Sequence, residues 1–266
     1  MKIRSLISIA IVLFSVTSFP GCKELATVRI SNLTCEFLTS PQGIDETGSR
    51  LSWQLRSDIR GQKQTAYRLL VASSPEMLAK DQGDYWDSGI IESDQSRLVE
   101  YKGKTLQSRE ECFWKVMVWD REGIPSAWSE PAFWSMGLLE KEDWTARWIG
   151  SPDSVTAPYY RHSFYLDDMP ERATVYLASL GYFELYINGE KLGNEVLAPA
   201  VSNYSRRSYY QTYDATTYLK KGKNSIGVWM GTGWYTPGLP ALHRYLLSSW
   251  TIQPLWLILE PTLPVC

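Results

Sequence analysis

"ECFWKVMVWD", Glu111 to Asp120, decides the fold. Cys112, Trp114, Val116 and Val118 alternate on one side of this stretch, and Phe113, Met117 and Trp119 on the other. A helix has a period of 3.6 and would scatter these residues around its circumference. An extended chain has a period of two and sorts them into two rows, so the stretch is a strand in a sheet. The flanking sequence keeps the same rhythm. "RLSWQLRS" alternates around Leu51, Trp53 and Leu55, and "TAYRLLVASS" places Tyr67, Leu69 and Val71 on one face. "REGIP" (121–125) is a turn, and "SAWSEPAFWSM" (126–136) reads as a final strand with Pro131 at an edge, where a missing N–H is tolerated. Only "SPEMLAKD" (74–81) looks helical, with Ser74 as N-cap and Pro75 at the first helical position. Short strands cut by turns over residues 31–139 predict a two-sheet sandwich.

A linker follows over 140–157, in which Trp144 and Trp148 are expected to staple it to one or both neighbours. Strand rhythm resumes at Tyr159 with "YYRHSFYL" and "RATVYLASLGYFELYINGEKLG". Asn188-Gly189 is the strongest hairpin signal in the chain. "KNSIGVWMGTGWY" and a last plausible strand, Leu255 to Leu259, complete a second β-domain over 158–260, which is expected to be incomplete. The first 22 residues stand apart. Lys2 and Arg4 precede an apolar run too short to span a bilayer, ending in small residues at Cys22. This reads as an export signal with Cys22 as a lipidation site, the alternative being an ordinary cleaved signal. Export then leads to the periplasm, outer membrane or cell surface, and the membrane is met only through a lipid anchor.

The 27 basic and 29 acidic residues give a formal net charge of -2, which excludes nucleic acid as the main partner because such binders carry a basic excess. The two histidines, His162 and His243, have no nucleophile-elbow serine or phosphate loop beside them. Adjacent Asp167 and Asp168 point to opposite faces of an extended chain and cannot form the facing pair a glycosidase needs. With Glu171 they offer either a calcium loop or a solvated turn. Cys35 and Cys112 either pair or remain as buried thiols, and no Cys-x-x-Cys spacing suggests zinc. No catalytic and no metal-ligating residue is therefore assigned. The 12 Trp and 16 Tyr are the better lead, because a flat ring stacks on the C–H face of a sugar while an amide serves its hydroxyls. Trp234 and Tyr235, beside glycines at a strand end, form a candidate platform, with Asn188 supplying the polar part; the alternative is core packing for the rings and a plain turn for the asparagine.

Several of these stretches resemble a known family. "LSWQLRSDIRGQKQTAYRLLVASSPEML", "DYWDSGIIESDQS", "CFWKVMVWDREGIPSAWSEPAFWSMGLL" and "DWTARWIG" are similar to the N-terminal part of bacterial inverting α-L-rhamnosidases. "ELYINGEKLGNEVLAP" and "YYQTYDATTYLKKGKNSIGVWMGTGWY" resemble the jelly-roll domain that follows there. The resemblance implies an all-β chain: a fibronectin-III or Ig-like sandwich, then a carbohydrate-binding-like jelly roll. It implies rhamnose-containing oligo- or polysaccharide as partner, and in some members a calcium ion beside rhamnose in the jelly roll. The family's catalytic carboxylates lie in a helical barrel, and no position here matches one. The expectation is a rhamnosidase N-terminal region without its own catalysis. The alternative is a stand-alone carbohydrate-binding surface lipoprotein.

Overall fold

The computed structural model describes residues 28–146, 148–149, 157–231 and 233, together with the backbone of 255–262. The chain is nearly all β. Its first part holds strands β1 (Arg29–Cys35), β2 (Arg50–Arg56) and β3 (Ala66–Ala72), then helix α1 (Pro75–Ala79), then β4 (Trp86–Asp87), β5 (Ile91–Glu92), β6 (Val99–Glu100), β7 (Glu111–Trp119) and β8 (Ala132–Ser135). One sheet has the order β1-β2-β6. The other runs β4-β3-β7-β8, with β5 also paired to β3. The alternation of Glu111–Asp120 faces one row inward, so that Cys112, Trp114, Val116 and Val118 all lie in the core. Leu51 and Trp53 meet them from the other sheet, and Trp134 closes the end. Trp53, Trp114 and Trp134 are essentially fully buried. Each removes on the order of 200 Å² from water, about 5 kcal/mol apiece as an upper bound at ~25 cal/mol per Å². Cys35 and Cys112 are both buried free thiols.

The helix forms where expected. Ser74 Oγ accepts from Met77 N at 3.3 Å, and Pro75 opens the first turn. It covers the back of β3 and β7, packing Leu78 on Leu70 and Ala72. Lys115, on that same face, is buried, and its ammonium donates to Leu78 O at 2.7 Å and to Asp81.

The expected final strand is a correction: only Ala132–Ser135 pairs as a strand. Ahead of it, Ser126 and Ser129 each donate their backbone N–H to β7 and accept a β7 N–H on Oγ, from Val118 and Val116 at 3.1 Å. The serine hydroxyls thus stand in for strand carbonyls. Pro131 immediately precedes β8, where its lack of an N–H costs nothing.

The second part holds β9 (Tyr159–Leu166), β10 (Arg172–Ser179), β11 (Tyr182–Ile187), β12 (Glu190–Leu192), β13 (Tyr210–Asp214), β14 (Gly222–Gly231) and β15 (Leu255–Thr262). One sheet is β12-β11-β14-β9 and the other β13-β10-β15. Their shared core sets Ala173, Val175 and Leu177 of β10 against Phe183, Leu185 and Ile187 of β11 and Ile226, Val228 and Met230 of β14.

The opposite face of β10 meets the first sandwich. Tyr176 packs with Leu138, Trp144 and Tyr210. Leu138 N donates to Tyr210 Oη at 3.0 Å, and the Trp144 and Tyr210 rings meet edge to face at 5.1 Å. Trp144 therefore does staple the linker, onto the second domain. Asp143 holds the other end, accepting from Ser108 Oγ, from Arg109 Nη1 at 2.9 Å and from Glu140 N at 2.9 Å. Those donors, Ser108 first, keep its carboxyl below the usual range. Arg172 pairs with Glu111 across the junction and lies 4.9 Å from the Phe133 ring centre. Gly137 permits this approach, since a Cβ there would stand 2.0 Å from Tyr210 Oη.

Candidate glycan-facing surface of the second domain

Alternation along β14 turns Asn224, Ile226, Val228 and Met230 inward and leaves Lys223, Ser225, Gly227 and Trp229 on the outer face. Beside it, β11 shows Glu184 and Tyr186, and β9 shows Tyr159, Arg161, Ser163 and Tyr165. The register sets Trp229 between Glu184 and Tyr159, and Gly227 between Tyr186 and Arg161. The Tyr159 and Trp229 rings stack with centroids 5.1 Å apart and planes 18° from parallel. They remain 71% and 43% exposed, so this apolar surface has no cover among the described residues. Next to them the face opens into a concavity of about 660 Å³ with Gly227 in its lining. A Cβ on Gly227 would meet Tyr160 O only at 3.8 Å and Tyr186 Cβ at 4.0 Å. Close packing does not demand a glycine here, and its effect is to leave the hollow open.

One rim is an ordered polar network. Glu184 accepts from Tyr186 Oη at 2.6 Å and from Lys191 Nζ at 2.5 Å. Lys191 and then Tyr186 hold its carboxyl below the usual range, so it is ionised and neutralised by its own neighbour.

Of the expected carbohydrate residues, Asn188 borders the same hollow. Its carboxamide is already committed, however. Nδ2 donates to Tyr218 O at 2.8 Å and to Asn224 Oδ1 at 2.9 Å, and Oδ1 accepts from Ser225 N at 3.0 Å. With φ at 52° and Gly189 at 92°, the pair forms the two-residue hairpin between β11 and β12. Both amide hydrogens are taken up by the fold, and what Asn188 keeps for a ligand is the second acceptor position on Oδ1. Trp234, Tyr235 and Cys22 lie outside the described residues. The exposed ring that sequence reasoning passed over is Trp229, together with Tyr159. Both sit at outward positions of their strands, and Trp229, between Gly227 and Gly231, carries the same kind of glycine signal that singled out Trp234.

Among the described residues, several carboxylates are engaged by basic neighbours. Glu36, Asp87, Asp143 and Glu184 sit against basic partners and are held below the usual range, Glu36 and Asp87 chiefly by the guanidinium bonds of Arg50 and Arg68. Glu111 alone among the described carboxylates with a resolved shift moves up, because burial outweighs the pull of Arg172. It faces that arginine across the domain junction, with Asp214 and Glu171 close enough to add to the rise. Asp168 pairs with Lys221 at 2.7 Å in an exposed turn. Among the described residues no group of three or more His, Cys, Asp or Glu could hold a metal ion, so the calcium loop of Asp167, Asp168 and Glu171 finds no ligand cluster there.

Comparison with known proteins follows the same division of the chain. Residues 30–140 match the family model described as Rha78A-like, N-terminal immunoglobulin domain, and residues 168–253 match the alpha-L-rhamnosidase N-terminal domain. An alpha-L-rhamnosidase of Formosa agariphila is 34% identical over 260 residues, covering 87% of this chain and 27% of that protein. One from an Alteromonas species is 37% identical over 214 residues, covering 76% of this chain and 23% of its own length. Among solved structures, the alpha-L-rhamnosidase of Dictyoglumus thermophilum superposes with a TM-score of 0.77 at 34% identity, over 90% of this chain and 28% of that one. The native enzyme of Aspergillus terreus gives 0.74 at 29% identity, over 89% and 27%. The chain thus spans about a quarter of the length of the curated relatives it matches.

Proposed function

Because the chain belongs to the α-L-rhamnosidase family and carries its N-terminal domains, we propose that it is the non-catalytic, glycan-facing region of an enzyme that releases terminal α-L-rhamnose from rhamnose-containing glycosides. One observation carries the non-catalytic part. The chain spans about a quarter of the length of its curated relatives, and Glu36, Asp87, Asp143 and Glu184 are each tied to a basic partner, whereas an inverting glycosidase needs two carboxyl groups facing each other about 6.5–9.5 Å apart across a sugar bond. The glycan-facing part rests on the uncovered Tyr159–Trp229 stack, an apolar surface of the kind that sugar rings cover. Trp234 and Tyr235, which follow Trp229 closely in the chain, belong to the same proposal. Cys22 belongs to it as the lipid attachment point, which metabolic labelling with palmitate, lost in Cys22→Ser, would reveal.

The test is a chimera. Residues 28–262 replace the matched quarter of a full-length relative, and hydrolysis of an aryl α-L-rhamnoside is measured. The chimera should be active and the isolated 266-residue chain inactive. Turnover by the isolated chain, or a folded chimera without activity, would overturn the proposal.

A further inference from the structure

The outer face of the second domain carries charge as well as rings. Across β9 and β14 the outward residues pair as Tyr159 with Trp229, Arg161 with Gly227, Ser163 with Ser225, and Tyr165 with Lys223. At ~3.4 Å per residue the ladder from Tyr159 to Tyr165 is about 20 Å long. Its two cations, Arg161 and Lys223, are exposed and have no ion-pair or hydrogen-bond partner among the described residues. Of the neighbouring charges, Glu184 is matched by Lys191 and Lys221 by Asp168, with Asp167 also close to Lys221. A chain of net charge -2 therefore shows an unmatched guanidinium, Arg161, in the lining of the hollow beside two exposed rings.

A neutral sugar would use the rings but has nothing to offer an unmatched guanidinium. An arginine fork fits a carboxylate or sulfate through two parallel N–H···O bonds. Arg161 stands directly across from Gly227, at the floor of the hollow, so an anionic group resting there would meet the fork without displacing any side chain. The rings of Tyr159 and Trp229, at about 200 Å² each when fully covered, fall well short of the ~800 Å² per partner that a stable protein interface buries.

The geometry points to this face as a binding trough for an acidic glycan, with Tyr159 and Trp229 stacking on a sugar ring and Arg161, backed by Lys223, pairing with a uronate carboxylate or a sulfate ester. The inference rests on the glycan-facing reading above and adds the charge of the ligand to it.

The experiment titrates the purified chain, by calorimetry, with four oligosaccharides: one alternating rhamnose with uronic acid, the same one with its carboxyls reduced to alcohols, a sulfated form of the reduced one, and a neutral rhamnose oligomer. The uronate or the sulfated form should bind, whichever anion the trough prefers, and the reduced form should bind about tenfold more weakly. Arg161→Gln should remove that difference while leaving the melting temperature in place, and raised salt should weaken only the anionic ligand. Gly227→Leu should abolish binding of every form. Its side chain enters open space, so the variant should fold, as circular dichroism would verify. Equal binding of charged and reduced oligosaccharides, or an unchanged affinity in Arg161→Gln, would overturn the inference. So would absence of all binding, or loss of stability in the active chimera on Arg161→Gln, which would mark the face as a contact with polypeptide. Chimera activity is read separately, so an active chimera without acid-glycan binding sinks this inference and leaves the proposed function standing.

Discussion

Replacing Gly137 with alanine should loosen the junction between the two domains, and replacing Tyr210 with phenylalanine should partly rescue it. The added Cβ would lie 2.0 Å from Tyr210 Oη and 3.0 Å from Gly43 O, far inside contact distance. Tyr210 cannot simply step aside, because its ring is packed edge to face on Trp144 and its hydroxyl accepts from Leu138 N at 3.0 Å. Overpacking of this kind costs about 1–3 kcal/mol, and the displaced hydroxyl also leaves the Leu138 N–H without its acceptor. Tyr210→Phe alone forfeits that same hydrogen bond, at about 1–3 kcal/mol if the N–H stays dry. The two single changes therefore count one bond twice, and the phenylalanine removes the atom that the new methyl strikes. The double variant should be at least ~1 kcal/mol more stable than the sum of the two losses predicts. Urea unfolding of the four proteins, followed by tryptophan fluorescence with free and shared m-values, measures the cycle. Losses that add to within about 0.5 kcal/mol would refute the reasoning, since independent sites behave that way.

Two further outcomes are expected. Asn188→Ala should destabilise the second domain by about 1–3 kcal/mol, because three hydrogen bonds are lost at a positive φ, while Asn188→Gly should recover the backbone part of that loss; an alanine variant with an unchanged urea midpoint would contradict the turn role. Burial pushes the Cys35 thiol from 9.0 up to about 12 and raises Cys112 as well. Each thiol is neutral in the fold and ionises more readily once unfolded, so its contribution is complete below pH 9 and is lost as pH rises toward 12, at about 1.4 kcal/mol per pH unit for each. Urea midpoints measured from pH 8 to 11 should fall more steeply for the native chain than for Cys35→Ala, and parallel curves would show that the thiol does not carry the effect.

The sequence alone determined the layers of this protein. Period-two alternation in Glu111–Asp120, in Arg50–Arg56 and in Gly222–Gly231 reports which side chains leave water, and hydrophobic burial acts on that pattern locally whatever the strands later pair with. The hairpin at Asn188-Gly189 and the cap at Ser74 were equally legible, because each is a contact within a few residues. What required the tertiary structure was every feature made between distant strands. Ser126 and Ser129 look like strand residues until β7 supplies the N–H groups that their hydroxyls accept. Asn188 looks available to a ligand until Tyr218, Asn224 and Ser225 arrive from about thirty or more residues away. Trp229 became an exposed ring beside Tyr159, two residues along β14 from the Gly227 that faces Arg161, only through the antiparallel register of β9 with β14. Alternation says which face a residue is on; register, set by the whole sheet, says who stands beside it, and a binding surface is made of neighbours.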